Sequence, residues 1–325
     1  MTRPDVLVTN YLVPEVIEAV QDRFAVTEAY GIPRKELLNI ISDYPALLCR
    51  YYTKVDSEVL EAGASGKLEI VVSATSGIDH VDIARAQELG IVACGTPACV
   101  TNANAEFNIG ALIALSRNFR QATKMVQEGR WDQQAVLGRE IRQKRLGLVG
   151  FGRIGRLTAQ YAGAFGMDVS ACDPYVPEDV FAATGVNSVP LDTLMAGSDY
   201  VVFNVPLTPE TQGMVGEREL RLMRASSYIV QVARGGVIAE EALLRALRER
   251  AIAGAAIDVF VDEPNINPGF RELDNVILTP HVGCSTQESR YRAGTFAFEE
   301  LARYFNGEPL QHQLSDSGNS SPQGF

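Results

Sequence analysis

Gly150, Gly152 and Gly155 stand in LGLVGFGRIG (Leu146–Gly155), where an apolar run gives way to a helix-compatible one from Arg156. This is G-x-G-x-x-G at a strand-to-helix turn, with Arg153 and Ile154 as the spacers before the last glycine. The first glycine permits a tight turn. The second lets a pyrophosphate approach the backbone, and the third lets the helix pack close to the strand. N–H groups at the helix start would hold the phosphates. A glycine-rich turn alone is usually only a turn. Here a second strand-like run, Met167–Cys172, ends in Asp173, near the roughly 20 residues downstream where a carboxylate meets an adenosine ribose. The pattern predicts a dinucleotide. Asp173 predicts NAD, because a 2′-phosphate would meet like charge there and Pro174, Tyr175 and Val176 offer no cation.

A nicotinamide cofactor implies hydride transfer, and the partner step needs a proton donor or acceptor near neutral pH. Histidine is the usual choice. The chain has His80, His281 and His312. His312 lies near the C-terminus and is expected to be solvated. His80 follows Gly77-Ile78-Asp79 in a strand-to-helix loop. His281, in Thr279-Pro280-His281-Val282-Gly283, directly follows an apolar strand, where a parallel sheet places its sites. A neutral structural histidine is the competing reading. Two more segments end the same way. Arg234 follows the run from Val230, and its guanidinium fork suits a carboxylate and can polarise a carbonyl. Asp258, Asp262 and Glu263 follow the strand from Gly254, and a carboxylate paired to His281 would favour its imidazolium. Singly, each charge is more often a surface residue or part of a structural ion pair. Three at neighbouring strand ends make a site.

The elements that must position these residues alternate. From Asp5 to Thr96, short apolar runs (Asp5–Thr9, Ala25–Ala29, Ala46–Arg50, Glu69–Ser73, Ile91–Cys94) alternate with helical candidates at Pro14–Arg23, Arg34–Ser42, Asp56–Ala62 and Val81–Leu89. In the first helix Val16, Ile17, Val20 and Phe24 form one apolar face. The rhythm predicts a parallel sheet covered on both faces. One long helix is expected from about Asn102 to Glu128. Gly129–Lys144 is polar and irregular, holds the only tryptophan, Trp131, and reads as a loop or an interface arm. A second block from Leu146 carries strands at Tyr200–Val205, Tyr228–Val232, Gly254–Val259 and Val276–Thr279. Its helices are expected at Arg153–Phe165, Glu217–Met223 and Glu240–Arg250. A last helix, Gln287–Asn306, is long enough to return to the first domain, and Ser315–Phe325 reads as a mobile tail.

Two domains are the default for 325 residues. A net charge of −11 argues against nucleic acid and against an anionic membrane surface. Five scattered cysteines form no C-x-x-C pair, so neither a disulfide framework nor a metal site is expected. Neither a signal peptide nor a run of about 20 apolar residues is seen, which fits a cytoplasmic protein.

At SGIDHVD (76–82), GTPACVTNANAE (95–106), LGLVGFGRIG, NVPLTPET (204–211), VARGGVI (232–238), AAIDVFVDEP (255–264) and TPHVGCST (279–286), the chain resembles the D-isomer-specific 2-hydroxyacid dehydrogenase family over nearly its whole length. The resemblance implies an α/β fold of two doubly wound parallel-sheet domains. A Rossmann NAD-binding domain (98–287) would be inserted in a flavodoxin-like substrate domain (1–97 and 288–325). It implies that Arg234 holds the substrate carboxylate and carbonyl, that His281 is the acid/base on the C2 oxygen, and that Glu263 orients His281. Backbone groups around Ser76 and Gly77 would bind the substrate carboxylate. Asp258 would meet the nicotinamide carboxamide, and Thr101, Val205, Pro206, Ala233 and Gly283 would line the cofactor cleft. Family members are commonly homodimers.

The chain departs from the family at Thr75 and Ala98 (often Gly), Asn204 (often His) and Gln231 (often Asn). None of these is expected to touch the Arg-Glu-His set. Thr75 bears on substrate size. Arg50 matches an arginine that phosphoglycerate dehydrogenases use against the distal phosphate, so a substrate with a second anionic end is one expectation. A glyoxylate- or hydroxypyruvate-type reductase of monoanionic acids is the alternative. From a different class, the NAD-sensing corepressors keep a similar Arg-Glu-His set. No regulatory amino-acid-binding domain is expected after the last helix.

Overall fold

The computed structural model describes residues 3–315. It divides into two units: residues up to Val100 together with those from Ser285 on, and Thr101–Cys284. The first unit runs β1 (Asp5–Val8), α1 (Pro14–Val20), β2 (Ala25–Glu28), α2 (Arg34–Ile40), β3 (Ala46–Cys49), α3 (Ser57–Ala64), β4 (Ile70–Ser73), α4 (Ile83–Glu88) and β5 (Val92–Gly95). Its sheet order is β2-β1-β3-β4-β5, all parallel, which is the flavodoxin-like order. The second unit holds α5 (Thr101–Ser116), α6 (Phe119–Gln127), β6 (Arg145–Val149), α7 (Arg153–Ala164), β7 (Asp168–Cys172), α8 (Glu178–Thr184), β8 (Asn187–Ser188) and α9 (Leu191–Gly197). It continues with β9 (Tyr200–Phe203), α10 (Glu217–Leu222), β10 (Tyr228–Gln231), α11 (Glu240–Arg248), β11 (Gly254–Ile257) and β12 (Val276–Leu278). The order β12-β11-β10-β9-β6-β7-β8, again all parallel, is the Rossmann order with one further strand. The chain then returns to the first unit as α12 (Gln287–Phe305).

Both faces of each sheet are covered, which is why the strands read as continuous apolar runs. In the first unit Val6, Val8, Leu48 and Val72 pack under α1 and α12, while Leu7, Leu47, Cys49 and Val71 pack under α2 and α3. Of the α1 face, Val16, Val20 and Phe24 are buried and Ile17 is partly so. Phe298 of α12, 1% exposed, lies 5.3 Å from the Phe24 ring between centroids. Burying such a side chain stabilises the fold by roughly 1.5–3 kcal/mol. In the second unit Leu146, Leu148, Val202 and Val230 face α5 and α7, and Val149, Val201, Phe203 and Ile229 face the opposite layer.

Several expectations need correction. The long helix is two: Asn118 adopts φ 51° and separates α5 from α6, a left-handed conformation that asparagine tolerates better than most residues. Its Nδ2 donates to the Leu137 carbonyl and closes the following loop. α8 and α9 were not anticipated, although each starts directly after a proline, Pro177 and Pro190, with acidic residues in its first turn. Gly129–Lys144 is the irregular stretch expected, with only a short 3₁₀ turn, Gln134–Val136. His312 is half-buried rather than solvated, its ring 5.3 Å from that of Phe296. The fully buried Glu300 carboxylate accepts the N–H groups of Gln311 and His312 and ties this segment to α12. The expected tail lies, from residue 316 on, outside the described residues.

Candidate active site

At the end of β6 the chain turns at Gly150, φ 95°. A Cβ there would meet the Asn204 carbonyl carbon at 2.9 Å and Val205 Cγ1 at 3.0 Å, so only glycine passes. A Cβ on Gly155 would meet the Gly150 oxygen at 2.3 Å, which is the close helix–strand approach the spacing implies. At Gly152 nothing lies within 4 Å. Gly152 caps α7 without a side chain, so the helix start is open to an anion. Asp173, at the end of β7, accepts the Phe151 N–H (2.8 Å) and the Tyr175 N–H (3.0 Å), which clamps the glycine loop. Thr101 Oγ1 at the start of α5 and Asn204 Nδ2 after β9 are buried polar atoms without a partner. Buried polar groups are nearly always satisfied, so these two, with the open face at Gly152, fit a polar ligand such as a dinucleotide.

Three adjacent strands end in the second cluster. After β12, His281 sits at φ 53°, an uncommon conformation for a non-glycine residue. Its N–H donates to the Asp258 carbonyl (2.9 Å) and the Thr279 carbonyl (3.1 Å). Its Nδ1 donates to Glu263 Oε2 at 2.8 Å, and that acceptor assigns the proton of the neutral ring to Nδ1. Glu263 Oε1 accepts the Phe260 N–H at 3.0 Å. Burial pushes the Glu263 carboxyl up, but the His281 and Phe260 hydrogen bonds and the charges of His281 and Arg234 outweigh it. The group is held below the usual carboxylate range.

Asp258, after β11, is 1% exposed. Its carboxylate accepts Thr279 Oγ1 (2.5 Å) and the N–H groups of Val282 (2.8 Å) and Gly283 (2.7 Å). Burial raises its pKa against those three bonds. Asp258 thus shapes the loop that carries His281. Asn104 Oδ1 of α5 lies 3.0 Å from where a Gly283 Cβ would be, so α5 and this loop meet at Gly283. After β10, the half-buried Arg234 sends Nη1 to the Ala233 carbonyl at 2.8 Å. A Cβ on Gly235 would come within 2.0 Å of the Phe260 oxygen, so the arginine turn is seated directly on the segment leading to Glu263.

Arg234, Glu263, His281, Asp258, Ala233 and Gly283 are therefore brought together at the ends of β10, β11 and β12. The glycine loop, Asp173, Val205 and Pro206 gather at the ends of β6, β7 and β9. Arg50, Ser76 and Gly77 belong to the other unit, at the ends of β3 and β4. There Thr75, 4% exposed, donates to the Gly77 carbonyl at 2.7 Å and stiffens that loop from within. His80 Nε2 lies 3.0 Å from Ser73 Oγ beside β4. Arg50 is 5% exposed, its guanidinium 5.7 Å from the Tyr51 ring centroid and its Nε unpartnered. Among the described residues no carboxylate pairs with it. Sequence reasoning missed the role of Gln231, whose side chain does touch the arginine turn: Nε2 donates to the Arg234 carbonyl at 3.0 Å. It also missed Thr279. The only available signal was a polar residue inside an apolar strand end.

The family model for the NAD-binding domain of the D-isomer specific 2-hydroxyacid dehydrogenases matches residues 109–283. A D-3-phosphoglycerate dehydrogenase of Methanocaldococcus jannaschii is 38% identical over 311 residues, covering 95% of this chain and 59% of that protein. The chain thus spans a little under 60% of the phosphoglycerate dehydrogenases it matches first. A glyoxylate reductase of Thermococcus onnurineus is 36% identical over 316 residues and covers 94% of each chain. Among solved structures, a glyoxylate reductase from Paecilomyes thermophila superposes with a TM-score of 0.85 at 28% identity, covering 97% of this chain and 99% of that one. With the strand orders and the glycine loop in place, these likenesses show that the chain belongs to the D-isomer specific 2-hydroxyacid dehydrogenase family.

Proposed function

We propose that the protein is an NAD-dependent oxidoreductase that moves a hydride between nicotinamide and C2 of a small D-2-hydroxy acid or its 2-keto acid. The observation that carries this reading is the 2.8 Å His281–Glu263 hydrogen bond, with the Arg234 charge acting on the same carboxylate. The α7 start with Gly152, Arg153 and Ile154 would hold the pyrophosphate, and Asp173 the adenosine ribose. Thr101, Val205, Pro206, Ala233 and Gly283 would line the nicotinamide end. Asp258 has used three of about four acceptor positions, which leaves one for the carboxamide N–H. Bound NADH supplies the hydride donor and NAD the acceptor. Arg234 binds the substrate carboxylate through its guanidinium fork and polarises the keto oxygen. In the reductive direction His281 Nε2 gives its proton to the C2 oxygen, and it takes that proton back in the oxidative direction. Ionised Glu263 stabilises the imidazolium that this exchange requires. Backbone groups at Ser76 and Gly77 are also proposed to bind the substrate carboxylate.

Arg50 supports a substrate with a distal anionic group, such as 3-phosphoglycerate. A buried guanidinium without a carboxylate partner is costly unless an anion answers it. The likeness to glyoxylate reductases supports the monoanionic alternative. One experiment separates these readings. Wild type and Arg50→Ala are assayed for NADH and NADPH oxidation with glyoxylate, hydroxypyruvate, pyruvate, phenylpyruvate and 3-phosphohydroxypyruvate. Turnover with NADH in preference to NADPH is expected. Arg50→Ala is expected to raise KM for the dianionic acid by about tenfold or more, and much less for the others. Equal effects on all acids remove the distal-anion reading. NADH binding with no turnover points instead to a corepressor-like NAD-sensing protein.

The protein acts on small molecules, with no nucleic acid or membrane partner, and resides in the cytoplasm as a homodimer.

A further inference from the structure

Gln231 ends β10 and is 3% exposed, an amide in a strand end that otherwise buries only apolar groups. Its side chain closes the turn that follows. Nε2 donates to the Arg234 carbonyl at 3.0 Å, and Oε1 accepts the Ala233 N–H at 3.4 Å. Its main chain faces the other way: the Gln231 carbonyl accepts the Asp258 N–H at 2.9 Å. The Asp258 carbonyl in turn accepts the His281 N–H at 2.9 Å. An unbroken run of three hydrogen bonds therefore joins the backbone of Arg234 to the backbone of His281, through Gln231 and Asp258. Two of its links are main chain to main chain and are indifferent to residue type. The first link is made by a side chain, so its length and donor character depend on residue 231.

We propose that Gln231 is a positioning residue that sets where Arg234 stands relative to the Glu263–His281 pair. This positioning role rests on the function proposed above. The run lies inside the protein, where each bond is stronger than in water and a broken one strands a polar group. A glutamine reaches one methylene further than an asparagine and so fixes the Arg234 carbonyl at a different distance from β10. Substrate binding and hydride transfer both depend on the arginine meeting a carboxylate that the histidine serves at C2. A displacement of about 1 Å costs on the order of a hundredfold in rate when it moves one reacting partner relative to another. The residues proposed for the pyrophosphate and ribose, at the ends of β6 and β7, lie outside this run, while of those proposed for the nicotinamide end Ala233 and Asp258 touch it, so NADH affinity is expected to change much less than the keto-acid KM.

The test uses Gln231→Glu, which keeps the shape and the acceptor but loses the donor, and Gln231→Leu, which loses both. Steady-state kinetics with NADH and the best 2-keto acid are combined with NADH Kd from fluorescence titration. Both variants are expected to raise KM for the keto acid by about tenfold and to lower kcat, with NADH Kd within about twofold of wild type. Gln231→Asn is expected to recover part of the loss by supplying the donor at shorter reach. Wild-type kcat and KM in Gln231→Glu overturn the proposal, as does a parallel loss of NADH affinity in both variants, which marks a general structural role. If the wild type turns over none of the acids, the proposed function fails, and the structure of Gln231→Leu alone decides this inference. A crystal structure of Gln231→Leu with the Arg234 turn unmoved overturns it, and a shifted turn supports it.

Discussion

Glu263 is pulled two ways: burial favours its neutral acid, while His281, the Phe260 N–H and the Arg234 charge favour the anion and prevail. A carboxyl whose folded pKa is depressed contributes stability that is fully present above its unfolded value. That contribution is lost as the pH falls through the folded value. Wild type is thus expected to melt higher than Glu263→Gln at about pH 7, with the gap closing below about pH 4. Thermal melts of both proteins across this range check it, and a gap independent of pH rules it out. The same variant should lose kcat by about 10- to 100-fold, because a neutral amide orients the imidazole less firmly than the carboxylate that accepts its Nδ1 proton. Arg234, Glu263 and His281 were legible as chemistry-bearing types at strand ends, with roles implied by the resemblance. Gln231 was not, because a single departure in a strand says nothing of where its amide points.

The elements locate function at the carboxyl ends of parallel strands, and glycines decide how closely neighbouring ends approach. Gly235 and Gly152 make a contrasting pair. A Cβ on Gly235 would press to 2.0 Å on the Phe260 oxygen, backbone against backbone, so Gly235→Ala must part the arginine turn from the Glu263 segment. It is expected to destabilise the protein by about 1–3 kcal/mol and to lower kcat/KM steeply. Gly152→Ala meets nothing in the protein and should melt within about 1–2 °C of wild type, yet bind NADH about tenfold or more weakly, because the methyl stands where a pyrophosphate must approach. Urea denaturation and NADH titration measure both. A destabilised Gly152→Ala with wild-type NADH affinity would contradict this account of the loop. Strands and most helices were legible from apolar runs and their spacing. The break at Asn118 was not, since α5 and α6 are separated by one residue's backbone conformation while the apolar pattern runs on through it.

Across the whole molecule, exposed apolar side chains concentrate in residues 119–137: Trp131 is 81% exposed, Leu137 73%, Val126 58% and Phe119 52%. α6 is itself anchored, with Arg120 and Gln121 donating to the carbonyls of Leu273 and Asp274. If the proposed homodimer forms through this stretch, the double variant Trp131→Glu, Leu137→Glu is expected to run as a monomer in light scattering where wild type runs as a dimer. A monomeric wild type would remove the dimer. The strand–helix alternation in its main lines, the dinucleotide loop and the kinds of residue able to do acid–base chemistry were determined by the sequence alone, because spacing and residue type act locally along the chain. Which strand ends lie side by side is a matter of sheet order, and that order places residues 234, 258 and 281 together although they are far apart in the chain. The tertiary structure alone decided that Asp258 is an organiser of the histidine loop, that Gln231 reaches the arginine turn, and that Arg50 is buried with no carboxylate paired to it among the described residues. Hydrogen-bond partners and burial are properties of groups brought together across the fold, and no linear pattern encodes the distance between them.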